Sequence, residues 1–132
     1  MSTLNGGYYS PRDIVGAQTT GGASEETLTL SINGQAPVAA IAIPAGQWLF
    51  LKVFHVTAEA AARFRLDKSI DNGANWFPLH HWRQPQDGAS GVNDDQLVAI
   101  EGRVGVLLRA RVTTPGGAIY VSLSMHGFVQ PS

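Results

Sequence analysis

The sequence predicts an all-β fold, a single antiparallel β-sandwich with jelly-roll or Greek-key connectivity. Three observations carry this expectation. Short runs of alternating apolar and polar residues recur along most of the chain. Clusters containing Gly, Pro or Asn separate these runs at short, regular intervals. No stretch has the apolar spacing of an amphipathic helix, so seven or eight strands account for the pattern.

Residues 1–25 stand apart. Gly6-Gly7, Gly16 and Gly21-Gly22 punctuate a polar segment whose apolar residues follow no sustained period. Ordering such a segment costs much backbone entropy and offers little local core in return. It reads as a frayed terminus or as an extended arm docking on a neighbour through Tyr8, Tyr9, Ile14 and Val15. The expected organisation is an extended Gly-rich arm over 1–25 and a β-sandwich domain over 26–132.

From Glu26 onward strand follows strand. Leu28, Leu30 and Ile32 alternate with Thr27, Thr29 and Ser31 up to the Asn33-Gly34 turn. Pro37 to Ile43 reads as a small-residue edge strand, since proline cannot donate to a ladder. Gln47 to Thr57 is apolar on both faces. Leu49, Leu51 and Val53 share one face, and Trp48, Phe50, Phe54 and Val56 the other. That pattern suits a central strand or one lying under a subunit contact. Thr57 to Ala62 is the only helix-prone stretch and is too short to stand alone.

Arg63 to Leu79 predicts the organising hairpin. Phe64, Leu66 and Ile70 alternate with Arg63, Arg65, Asp67 and Ser69, then Asp71-Asn72-Gly73 turns the chain into Trp76-Phe77. His80 to Asp95 reads as a loop of about 15 residues, long enough to suggest a contact role. Gln96 to Glu101 is a short strand. Arg103 to Thr113 places Val104, Val106, Leu108, Ala110 and Val112 inward. The last strand, Ala118 to Phe128, directs Ile119, Val121, Leu123 and Met125 to the core.

Composition narrows the function classes. Of 132 residues 44% are hydrophobic and only 14% charged, well under the roughly 25% usual in soluble domains. A neutral surface or burial within an assembly explains the deficit equally well. A net charge of −1 offers no field for nucleic acid or anionic membrane. With no cysteine there is no disulfide, thiolate metal site or cysteine nucleophile. The amino terminus lacks a signal-peptide pattern, and no apolar run reaches the ~20 residues needed to span a bilayer. The expectation is a protein made and soluble in a cytoplasm, with no membrane and no nucleic-acid partner.

Catalytic chemistry finds no foothold. His80-His81 with Asp94-Asp95 could offer metal ligands, but adjacent side chains on an extended chain point apart. Asp71-Asn72-Gly73 resembles the opening of a calcium loop but lacks the later spacing and the closing glutamate. No nucleophile elbow or phosphate-binding loop is present. The expectation is a non-enzyme without metal or cofactor. Trp76, Phe77, Trp82 and Tyr120 could form an aromatic platform for a glycan, for instance on a host surface. Arg63, Arg65, Arg103, Arg109 and Arg111 could form a stripe pairing with acidic residues of another subunit. The candidate interface residues are Tyr8, Tyr9, Ile14, Val15, Trp82, Arg83, Arg109 and Arg111.

Ser69, Asp71, Gly73, Trp76 and Leu79 match an S-x-D-x-G-x-x-W-x-x-L pattern. On these residues, the stretch from Gln47 to Phe128 resembles small β-sandwich structural proteins of tailed-bacteriophage virions. The resemblance implies a capsid decoration (cement) protein on the virion exterior, often trimeric, bound to the major capsid protein lattice. The alternative is a tail, baseplate or fibre component, and no functional residue is carried over on it. A receptor- or carbohydrate-binding module using Trp82 and the 80–95 loop is the third reading.

Overall fold

Two antiparallel sheets face each other in the computed structural model, which describes residues 10–22, 25–84, 92–94 and 97–131. The described residues form eleven strands and no helix. They are β1 (Ser10–Thr19), β2 (Glu26–Leu28), β3 (Ser31–Ile32), β4 (Ile41–Ala42), β5 (Gln47–Ala58) and β6 (Ala62–Ser69). β7 (Phe77–Gln84), β8 (Val92–Asp94), β9 (Val98–Glu101), β10 (Leu107–Thr113) and β11 (Tyr120–Pro131) complete the set. The first sheet runs β3-β1-β11-β5-β8, with β9 also on the free side of β5. The second runs β2-β10-β6-β7, with β4 also on β10. The expected all-β sandwich is what forms.

Inward-facing apolar residues of both sheets make the core. Phe54, Leu51, Leu123 and Met125 from the first meet Phe64, Leu66, Leu108 and Leu28 from the second, all buried. Alternation within β10 and β11 places these residues as expected, with one exception. Val104 is 92% exposed, because it sits in the turn before β10 rather than in the strand.

Four expectations are corrected. Residues 10–19 are not a free arm. They form β1, paired residue for residue with β11 from Ser10↔Val129 to Thr19↔Tyr120. Those ladder bonds offset the ordering entropy that a Gly-rich segment could not recover locally. Gly16 is part of the fit, since a Cβ there would strike the Thr29 carbonyl and the Leu30 side chain. The second correction concerns Glu26 to Ile32, which divides between sheets: β2 joins the second and β3 the first. Third, Pro37–Ile43 yields only the two-residue β4, plus a single bridge from Val38 to Leu30. Fourth, the run expected to be a loop from His80 begins as strand, since β7 continues to Gln84.

A bulge in β5 decides which side chains leave the core. His126 pairs with Val53 and Gly127 with Leu51, so Lys52 is the extra residue. Two residues opposite one shift the pleat's phase. Leu49 and Leu51 therefore point inward, as do Phe54 and Val56, while Val53 turns outward at 44% exposure. Gly127 permits this geometry, because a Cβ there would collide with the Phe50 carbonyl.

Candidate functional site

The outer face of the first sheet carries an apolar row that crosses four strands. Pro11 of β1 lies opposite Phe128 of β11, which lies opposite Phe50 of β5, which faces Ala99 of β9. Phe50 and Phe128 stack with ring centroids 5.1 Å apart, and Trp48 stacks on Phe50 at 5.9 Å. Val53 and Val15 extend the surface along the strands, each nearly half exposed. Away from the aromatic end the rows turn small and polar, with Ala17, Ser122 and Thr57 aligned. Beside the apolar row His126 Nδ1 lies 2.7 Å from Asp13 Oδ1 and Arg103 Nη2 3.1 Å from Glu101, while Lys52 stands exposed at the bulge next to Val53. Among the described residues no further layer covers this face.

The outer face of the second sheet is built on the opposite plan. Register places Arg109 beside Asp67 and Arg111 beside Arg65. The buried Asp67 carboxylate accepts from Arg65 Nε at 2.7 Å and from Arg109 Nε at 3.0 Å. Glu25 joins the chain of charges, 3.1 Å from Arg65 Nη1 and 3.0 Å from Arg111 Nη2. Arg111 also donates to Thr27 Oγ1. The hydrogen bond that Arg65 donates to Asp67, with the charges of Asp67 and Glu25, raises the Arg65 pKa above its usual value despite partial burial. The Trp76 ring lies over the Arg109 guanidinium, 4.1 Å from its carbon, as a cation–π lid.

The hairpin loop that delivers Trp76 is closed by its own polar side chains. Gly73 N–H donates to Ser69 Oγ, and Ser69 Oγ donates to Asp71 Oδ1. Asn75 donates to both Asp71 oxygens, from backbone nitrogen at 2.9 Å and from Nδ2 at 2.7 Å. These bonds, the Asn75 side chain's first, hold the Asp71 carboxyl down to about 2. Asn72 and Gly73 take the positive φ angles, 59° and 93°, that Asx-Gly turns supply. The loop is thus a turn whose acceptors are spent on its own backbone, and among the described residues no three His, Asp or Glu side chains converge as a metal site would need.

No protein-family model matches the chain, and no curated protein matches it. Among solved structures, the globular domain of zebrafish complement 1qA protein superposes with a TM-score of 0.53 at 13% identity. The match covers 87% of this chain and 94% of that one. Murine APRIL gives a TM-score of 0.48 at 10% identity, over 88% of this chain and 98% of that one. A family 11 carbohydrate-binding module from Clostridium thermocellum gives 0.31 at 11% identity, over 99% and 91%. The likeness to the zebrafish domain, at this identity, speaks to fold alone.

This chain is a jelly-roll-like β-sandwich. Within the jelly roll, the residues expected at an interface are scattered. Ile14 is buried in the core, so it holds β1 to this domain rather than to a neighbour. Val15, its outward neighbour, does reach the exposed face of the first sheet. Trp82 is also a core residue, packed on Phe54 at 5.0 Å and edge-on to His80 at 4.6 Å. The arginine stripe exists, with Arg65, Arg109 and Arg111 side by side, but its acidic partners Asp67 and Glu25 belong to the same chain. Tyr8, Tyr9 and the side chain of Arg83 lie outside the described residues, as do 85–91 and Asp95 of the expected loop.

The expected aromatic platform does not assemble. Trp82 is inside, Trp76 lies over Arg109 outside the second sheet, and Tyr120 sits on the first sheet. The surface that does assemble uses Trp48, Phe50 and Phe128, which sequence reasoning read as a two-faced central strand and a strand end. The available signal was Trp48 and Phe50 two apart on the face opposite Leu49 and Leu51. What it lacked was the knowledge that no second layer of the described residues covers that face.

Proposed function

We propose that this chain is a non-enzymatic virion structural protein, a capsid decoration protein that binds the major capsid protein lattice and self-associates through the outer face of β1, β11 and β5. The observation that carries the self-association is the row Pro11–Phe128–Phe50–Ala99 with Trp48, Val15 and Val53 beside it. Its carboxylates Asp13 and Glu101 are already paired within the chain, so a basic partner would gain little there. An equally neutral apolar surface on further copies of this chain fits best. Cyclic closure as a trimer suits a lattice position, where each added contact stabilises the shell by mass action. The phage reading draws on the motif that ends in Trp76, whose Ser69, Asp71 and Gly73 fold with Asn75 as one hydrogen-bonded turn.

Sedimentation velocity over a wide concentration range tests the association. The wild type is expected to sediment as an oligomer and Val53→Asp as a folded monomer. A wild type that stays monomeric throughout would remove self-association from this account. Copy number in purified particles tests the position, since decoration requires many copies per shell and a tail, baseplate or fibre part few. A second reading is favoured by the same stacked rings, because exposed aromatic faces also stack on sugars. Glycan-array binding lost in Trp48→Ala, together with a monomeric wild type, would favour that module instead.

A further inference from the structure

Where the chain crosses from β3 in one sheet to β4 in the other, the sandwich opens into a cavity of about 450 Å³. Its volume lies within the range of small-molecule sites. The floor is apolar: Ile14, Ile41, Ile43 and Leu49, all buried, reach into it from both sheets. The rim is polar and carries Arg12, Gln35 and Gln47. The lining contains one cation and no carboxylate. Arg12 Nη1 donates to the Pro11 carbonyl at 3.0 Å, and no acid among the described residues pairs with the guanidinium. This contrasts with Arg65, Arg103, Arg109 and Arg111, each of which has an acidic partner within the chain. Asp13, next along β1, points to the opposite face and is held by His126.

We infer that this cavity binds a small amphipathic carboxylate, its alkyl chain on the isoleucine floor and its carboxylate on Arg12. A guanidinium presents donors in a fixed fork that matches a carboxylate's two oxygens, and one of its nitrogens is already oriented by the Pro11 carbonyl. The unbonded side-chain amides of Gln35 and Gln47 can complete the head-group contacts, while a neutral hydrocarbon would leave the rim unsatisfied. The cavity is independent of the apolar outer face, so this inference stands or falls apart from self-association.

Isothermal titration of the full chain with octanoate, octan-1-ol and acetate tests it. Octanoate is expected to saturate one site per chain with a Kd of about 1 mM or tighter. Octan-1-ol, lacking the charge, and acetate, lacking the chain, should each bind at least about tenfold more weakly. Arg12→Gln should weaken octanoate about tenfold and leave octan-1-ol unchanged. Ala42→Phe, at an exposed lining position where the fold tolerates a larger side chain, should narrow the mouth and weaken both. Equal affinity for octanoate and octan-1-ol, no saturable octanoate binding, or binding indifferent to Ala42→Phe would each overturn the assignment. An unchanged thermal midpoint in both variants separates loss of ligand from loss of fold.

Discussion

The two outer faces of this sandwich solve the same problem in opposite ways. On the second sheet, Glu25 and Asp67 pair with Arg65, Arg109 and Arg111, and Trp76 lies over Arg109. On the first, Trp48, Phe50, Val15 and Val53 lie apolar side outward, and no further layer covers them among the described residues. A face that closes its own polar groups gains stability and offers a partner little. A face left apolar contributes less to the monomer and offers area to a neighbour. The contrast is what places the proposed contact on the first sheet, and it leaves Arg109 and Arg111 paired with acids of their own chain.

Removing the keystone of the closed face should have the largest effect. Asp67→Asn leaves two guanidinium groups without their shared carboxylate, and loss of one partner from a buried pair costs about 3 kcal/mol or more. Urea denaturation of the monomeric background reads this directly, and a loss under half that value would mean the arginines find solvent instead. Next comes the bulge that defines the open face. Gly127→Ala forces a methyl group against the Phe50 carbonyl and should cost about 2 kcal/mol by strain. Because the strain falls where Val53 is turned outward, the same variant should also weaken association.

Trp76→Ala removes the roof but not the ion pairs and should cost about 1 kcal/mol, with the oligomeric state unchanged. Val53→Asp is its mirror image. Monomer stability should move by less than about 0.5 kcal/mol while sedimentation shifts to the monomer. If both variants changed assembly equally, the division of labour between the faces would be wrong. The smallest effect belongs to the exposed Asp71. Its carboxyl is held down to about 2 from 3.8, so its contribution is fully present above pH 3.8 and is lost as pH falls through about 2. Comparing wild type with Asp71→Asn by thermal melts across that window should show the gap closing toward low pH.

Much of this architecture was legible in the residues. Leu108, Ala110 and Val112 inward on β10, and Val121, Leu123 and Met125 on β11, follow from parity alone. So does the turn at Asn72-Gly73. Parity fails where one strand carries an extra residue. Lys52 in β5 flips Val53 outward. The β6–β7 register shifts between Leu66 and Asp67, so counting onward from the turn does not give the depth of the residues beyond it. The two tryptophans accordingly part company: Trp82, expected at a contact, is in the core, and Trp76 lies outside over Arg109. Pairing between distant segments was equally hidden. Nothing local in Ser10–Thr19 shows that β11, more than a hundred residues away, supplies its ladder.

That ladder also determines how the molecule bears force. Ser10 and Val129 are direct partners at one end of the antiparallel β1–β11 pair. A tension applied between those two residues loads a single rung at a time and opens the sheet like a zipper. The same tension applied along β5, flanked by β11 on one side and by β8 and β9 on the other, must shear many rungs together. Load applied along β5 would meet a stiff clamp, whereas load that draws the paired ends of β1 and β11 apart would meet a yielding one.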